Sequence, residues 1–171
     1  HAYHIGGRAG SVSFKRNTKF NHIIQEFIFD ADEECRDIIE IKNPKAKVFS
    51  YCLDKTNGFR EFFLNKNRYT SSFLKPLKDN LNFYQSINGE NMLLSDACSA
   101  EKTIEVQTYT LDYLLEENKI EKIDFISLDT QGSELDIIKG GINSELVQPK
   151  ICLIDPYFSL SNDYKQQIIC S

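Results

Sequence analysis

The chain predicts an α/β layered fold, a mostly parallel sheet with helices on both faces. Three observations carry that expectation. Short apolar runs alternate with amphipathic stretches, the order expected when strands are joined by crossover helices. Ile123 to Leu128 and Ile151 to Ile154 are nearly continuous apolar runs, as strands buried on both faces require. Three strand ends, at Ile5, Phe29 and Leu128, run into polar or Gly-rich turns, and in open parallel sheets that carboxyl edge is where ligands bind.

Taken in order, Ala2 to Ile5 reads as a strand entering the turn Gly6-Gly7-Arg8-Ala9-Gly10, with a weakly helical Ser11 to Phe20 after it. Glu26 to Phe29 is a second strand ending at Asp30-Ala31-Asp32. Glu33 to Ile41 then sets Cys35, Ile38 and Ile39 on one helical face, and Asn43-Pro44 stops the helix. Val48 to Leu53 reads as a third strand, with Asn57-Gly58 turning it into Phe59 to Leu64 as an antiparallel hairpin. Leu74 to Lys102 is rich in Asn, Lys and Ser and predicts a flexible lid or a weakly structured excursion. Thr103 to Tyr109 is again a strand, and Thr110 caps a helix carrying Leu111, Leu114 and Leu115. Beyond Leu128 come Asp129-Thr130-Gln131-Gly132, and Ser133 with Asp136 three residues on has the spacing of a cap. The helix there carries Leu135 and Ile138 and closes at Gly140-Gly141.

The 171 residues are 41% hydrophobic and 12% aromatic, enough for one domain spanning 1–171 with a single core, which rules out disorder along the whole chain. Twenty basic against 25 acidic residues leave a net charge of −5, which argues against nucleic acid and against an anionic membrane as partners. No apolar run reaches the ~18 residues of a spanning helix and no secretory leader opens the chain, so a soluble, cytoplasmic protein is expected. Cys35, Cys52, Cys98, Cys152 and Cys170 form no C-x-x-C pair and share no metal-ligand spacing with His1, His4 or His22. They read as small hydrophobes, with no zinc site and no thiol chemistry.

Gly6, Gly7 and Gly10 would let the backbone come close to a ligand, and Asp30 follows Gly10 by 20 residues at the next strand end, where an acid can accept both hydroxyls of a ribose. A turn glycine cluster with a helix-capping Asp explains the same residues. The dinucleotide pattern G-x-G-x-x-G finds Arg8 and Ser11 in place of its second and third Gly, which disfavours a nicotinamide or flavin dinucleotide. S-adenosylmethionine carries the adenosine without the pyrophosphate, and its cationic sulfonium suits an acidic chain. These residues point to a methyltransferase.

Further along, Thr110-Leu111-Asp112-Tyr113-Leu114-Leu115, Ile123 to Glu134 with its Asp129-Thr130-Gln131-Gly132-Ser133-Glu134 turn, and Lys139-Gly140-Gly141 strongly resemble the FkbM-type methyltransferases. Phe29-Asp30-Ala31-Asp32, Tyr51-Cys52-Leu53-Asp54, Asn57-Gly58 and Thr70-Ser71-Ser72 follow in that family's order. The resemblance implies a Rossmann-like class I methyltransferase fold and S-adenosylmethionine-dependent O-methylation of a sugar or other small-molecule hydroxyl. The expected cofactor set is Gly6, Gly7, Arg8, Gly10, Asp30 and Ala31 of the turn and the strand end, to which the resemblance adds Ser72 beside Ser71. Two departures stand out: His4 occupies the place of the family's usual acid before the first Gly, and only 17 residues follow Ile154, which predicts a sheet incomplete at its C-terminal end.

Methyl transfer to oxygen needs an acceptor held in line and a group to take its proton. Asp129, at the end of the apolar strand, and Glu134, opening the next helix, are the candidate catalytic pair, one as base and the other orienting the acceptor. Glu134 reads equally as an acid favoured at a helix N-terminus. Ser72 reads also as a turn residue, and Arg8 as a substrate anchor or a solvent-facing side chain. A weaker expectation gathers a divalent cation on Asp129, Glu134 and Asp155. A non-catalytic binding module of the same fold and a dinucleotide-dependent oxidoreductase are the competing readings.

Overall fold

A computed structural model describes residues 1–6, 22–75, 93–120 and 123–141, together with the backbone of 151–154. Five short strands form a wholly parallel sheet: β1 (Ala2–Ile5), β2 (Glu26–Phe29), β3 (Lys47–Phe49), β7 (Phe125–Leu128) and β8 (Ile151–Ile154), in the order β3-β2-β1-β7-β8. A second sheet has the order β4-β6-β5, from β4 (Cys52–Leu53), β5 (Gly58–Asn65) and β6 (Ala100–Tyr109). The four helices are α1 (Arg36–Lys42), α2 (Leu94–Ala97), α3 (Leu111–Glu117) and α4 (Glu134–Lys139) among the described residues.

Because successive strand residues point to opposite faces, the register sorts the parallel sheet into two cores. Tyr3, Phe27 and Ile126 are level with one another, as are Ile5, Phe29 and Leu128. They pack with Leu111, Leu114, Leu115 and Ile137 of α3 and α4. On the opposite face Ile28 and Val48 pack with Cys35 and Ile39 of the 3₁₀ turn and α1. Helices therefore cover both faces, as the alternation of apolar runs requires, and the fold is Rossmann-like. The second sheet joins the larger core through Leu53. Thr110 caps α3 as expected, its hydroxyl accepting from the Tyr113 amide at 3.1 Å. No helix among the described residues is long and apolar enough to cross a membrane.

Several elements differ from the sequence expectation. The run from Val48 to Leu53 breaks into β3 and β4, which belong to different sheets. The Asn57-Gly58 hairpin does not form, because β4 and β5 each pair with β6, which lies between them, β4 parallel and β5 antiparallel. Asn57 instead accepts from the Thr110 amide through its side chain, at 2.7 Å. The helix after β2 starts as a 3₁₀ turn, Glu33–Cys35, and Ile38 is 51% exposed. Cys35 and Ile39, four apart, make the buried stripe among the described side chains, and Ile38 sits about 100° round from Ile39. In α4 the fully buried side chain is Ile137, with Leu135 and Ile138 half-buried. The excursion is ordered in its last part, where α2 and the start of β6 at Ala100 occupy 94–102. Residues 76–92 and the expected helix at Ser11 to Phe20 lie outside the described residues.

Candidate functional site

The order β3-β2-β1-β7-β8 reverses at β1: the chain steps outwards through β2 and β3 on one side and returns on the other as β7 and β8. In an open α/β sheet the crevice beyond the carboxyl ends at such a reversal is the usual ligand site. Ile5 is level with both Phe29 and Leu128, so Gly6, Asp30 and Asp129 emerge side by side from three adjacent strands.

Gly6 has φ +87° and donates its amide to the Phe29 carbonyl at 2.9 Å. A Cβ there would run into the carbonyl of Asp129, whose carbon lies 2.7 Å from the position that atom would take. Only glycine permits β1 and β7 to close this tightly at the crevice. Asp129 completes the contact by donating its amide to Ile5 O at 2.9 Å.

The turn beyond Asp129 is fixed from two further directions. Glu134 Oε1 accepts from the Thr130 amide at 2.9 Å, the Gly132 amide at 3.1 Å and the Thr130 hydroxyl at 3.2 Å. Glu134 thereby ties the turn that precedes α4, and the cap expected of Ser133 and Asp136 is not made, since Ser133 has no side-chain cap bond. From the segment after β5, Ser72 Oγ donates to Gln131 O at 2.7 Å and accepts from the Leu74 amide at 3.0 Å. Gln131 itself has φ +57°, unusual for a residue with a side chain, and its side-chain Nε2 donates to Asp129 Oδ1 at 2.9 Å.

At the end of β2, Asp30 donates its amide to Phe49 O at 3.1 Å, and its Oδ1 accepts from the Asp32 amide at 2.9 Å, an Asx turn. Ala31 is exposed beside it. Asp136, away from the cap, joins Lys55 at 3.5 Å and Arg60 at 3.5 Å; Arg60 also reaches the buried Asp54 at 2.8 Å and lies over the Phe73 ring. This network fastens α4 to the second sheet next to the site.

His4 is 5% exposed, on the sheet face shared with Ile28 and Ser127, and its Nδ1 has no hydrogen-bond partner among the described residues. Burial lowers its pKa to about 4, so it is neutral near pH 7. Burial likewise pushes the Cys52 thiol up to about 12, with Asp54 adding to the shift, so Cys52 stays protonated as a core residue. No group of His, Cys, Asp and Glu among the described residues is placed to hold a metal ion, and Asp155 lies outside them.

Of the residues singled out from the sequence, Gly6, Asp30, Ala31, Ser72, Asp129 and Glu134 gather at this carboxyl edge, while Gly7, Arg8 and Gly10 lie outside the described residues. Sequence reasoning passed over Gln131, whose one local signal is its place before Gly132 in a turn between a strand and a helix. It also passed over Arg60, which meets Asp136 across 76 residues and leaves no local signal. No curated protein and no solved structure matches the chain. The family model described as the methyltransferase FkbM domain matches residues 21–167, from just before β2 to beyond β8, and the chain belongs to the FkbM methyltransferase family.

Proposed function

We propose that this single domain is an S-adenosylmethionine-dependent O-methyltransferase acting on a hydroxyl of a sugar or another small molecule. The observation that carries the reading is the meeting of Gly6 and Asp129 at the strand-order reversal, with Asp30 one strand away. The residues there suit an adenosine: Asp30 supplies a carboxylate for the ribose hydroxyls at the end of β2, with Ala31, small and exposed, beside it. The backbone at Gly6 presents no side chain. The net charge of −5 supports a cationic cofactor and a small-molecule acceptor over a polyanion.

S-adenosylmethionine, when bound, supplies an electrophilic methyl group on a sulfonium. The protein's share is to align the acceptor oxygen and take its proton. We assign the proton to Asp129, which leaves β7, next to β1, at the crevice. Glu134, committed through Oε1 to the Thr130 and Gly132 amides, serves by holding the turn that carries Asp129. Gly7, Arg8 and Gly10 complete the cofactor turn in this reading.

Calorimetric titration with S-adenosylhomocysteine tests the cofactor; no heat on folded protein sinks the enzyme reading in favour of a binding module, and preference for a nicotinamide dinucleotide would favour an oxidoreductase. Asp129→Asn tests the base. Turnover on an acceptor found by screening methyl transfer to sugars and small alcohols should fall by about 10²-fold, with S-adenosylhomocysteine affinity and melting temperature little changed. Retained turnover would remove Asp129 from the mechanism.

A further inference from the structure

We propose that Gln131 is a positioning residue that fixes the Asp129 carboxylate at the crevice, and that Ser72 locks Gln131 in the backbone conformation that does so. The inference rests on Asp129 being the group that meets the acceptor.

Gln131 stands at φ +57°, where glycine would be the unstrained choice. Such a conformation persists only where the surroundings over-determine it. They do so here. The Asp129 amide is held by Ile5 O, the Thr130 and Gly132 amides by Glu134 Oε1, and the Gln131 carbonyl by Ser72 Oγ. Each of these bonds is made without the Gln131 side chain, so the turn has no need of it to stay folded. What the side chain does is reach back two residues and donate to Asp129 Oδ1 at 2.9 Å. A carboxylate that must meet an acceptor hydroxyl in line gains from having one oxygen tied and its rotamer chosen. The strained backbone directs the amide there, and Ser72, 59 residues away in sequence, holds the strain in place.

The test is Gln131→Gly, which suits the backbone conformation and deletes only the amide, with Gln131→Leu as a second variant that keeps a side chain. Three-bond couplings from backbone nitrogen and carbonyl carbon to Asp129 Cγ, measured by NMR on the free protein, report the side-chain rotamer. The parent should give single-rotamer values; both variants, and Ser72→Ala, should give averaged ones. The melting temperature of Gln131→Gly should be unchanged or higher. Turnover should drop roughly tenfold, about the loss of one hydrogen bond made to a charged group, with S-adenosylhomocysteine affinity unchanged. Single-rotamer couplings in both Gln131 variants would overturn the proposal, and so would averaging accompanied in both by a fall of more than about 5 °C in melting temperature, which would mark a structural residue. Because the couplings are read without ligand, their failure leaves the methyltransferase reading standing, and failure of S-adenosylhomocysteine to bind the parent defeats that reading alone.

Discussion

Two turns leave the carboxyl edge of the parallel sheet from strands flanking β1, and both begin with an aspartate. The one after β2 has an Asx closure, Asp30 Oδ1 accepting from Asp32, two residues on, beside the backbone bond of Asp30 to Phe49 O of β3, and the segment passes into the 3₁₀ turn. The one after β7 is held from more sides, by Ile5 of β1 and the close approach of Gly6 beyond it, by Glu134 from the following helix and, across 59 residues, by Ser72 from beyond β5. The difference assigns the two aspartates different work. A recognition acid needs only a strand end and a short turn to present it, whereas an acid placed for chemistry needs its backbone and its rotamer fixed, and that takes contacts from several parts of the fold.

The largest effect comes from breaking the turn after β7 at its closest contact. Gly6→Ala introduces a Cβ where the Asp129 carbonyl stands, at a φ that side chains rarely adopt. A loss of about 3 kcal/mol or more in unfolding free energy is expected, measured by urea denaturation. A stable Gly6→Ala protein would mean that β1 and β7 do not close as described.

Next in size is a pH effect at His4, on the strand that both turns flank. Its folded pKa is lowered from 6.5 to about 4 by burial, so the unfolded chain takes up the proton first. Stability is therefore full above pH 6.5 and is lost as pH falls from 6.5 to 4, by about 3 kcal/mol at the lower end. His4→Leu should flatten this part of the stability curve. Equal slopes for parent and variant between pH 6.5 and 4 would show that His4 is not buried neutral.

Glu134→Ala separates the two turns directly. It strands the Thr130 and Gly132 amides, which lose a charged acceptor, so the domain should lose about 2 kcal/mol and hydrogen exchange at those two amides should accelerate. Exchange at the Asp32 amide should not change, since that turn is closed by Asp30. Acceleration at all three amides would show that the turns are not independent.

The same contrast explains what could be read from the sequence. Ala2–Ile5, Glu26–Phe29, the Thr110 cap and the apolar strand before Asp129 are written in neighbouring residues, and the structure contains each of them. The site acids were legible because strands of a parallel sheet end at one edge. Less legible was whatever depends on a distant partner. The Asn57-Gly58 signal is genuine turn chemistry, but β6 lies between the strands it was expected to join. Ser133 and Asp136 have the spacing of a cap, yet Ser133 makes no side-chain cap bond, and Asp136 faces Arg60 of β5 and Lys55 of the loop before it. Ser72 was placed at the site by resemblance, while its bond to Gln131 depends on the second sheet docking against the first.

The smallest expected change in stability is at Asp30, and it sharpens the contrast most. Asp30→Ala removes the Asx bond to the Asp32 amide, while the bond of the Asp30 amide to Phe49 O is backbone and survives. Unfolding free energy should fall by only about 1 kcal/mol. If Asp30 receives both ribose hydroxyls, the same variant loses two hydrogen bonds to a charged group, each worth about 1.5–3 kcal/mol, and S-adenosylhomocysteine should bind more than tenfold more weakly in calorimetry. Asp129→Asn should do the reverse, keeping cofactor affinity and losing turnover. Unchanged affinity in Asp30→Ala would make the β2 turn a local structural device and leave the ribose without its assigned acceptor. Comparable loss of affinity in both variants would mean that the two aspartates share the cofactor, and the division of labour between the two turns would fail.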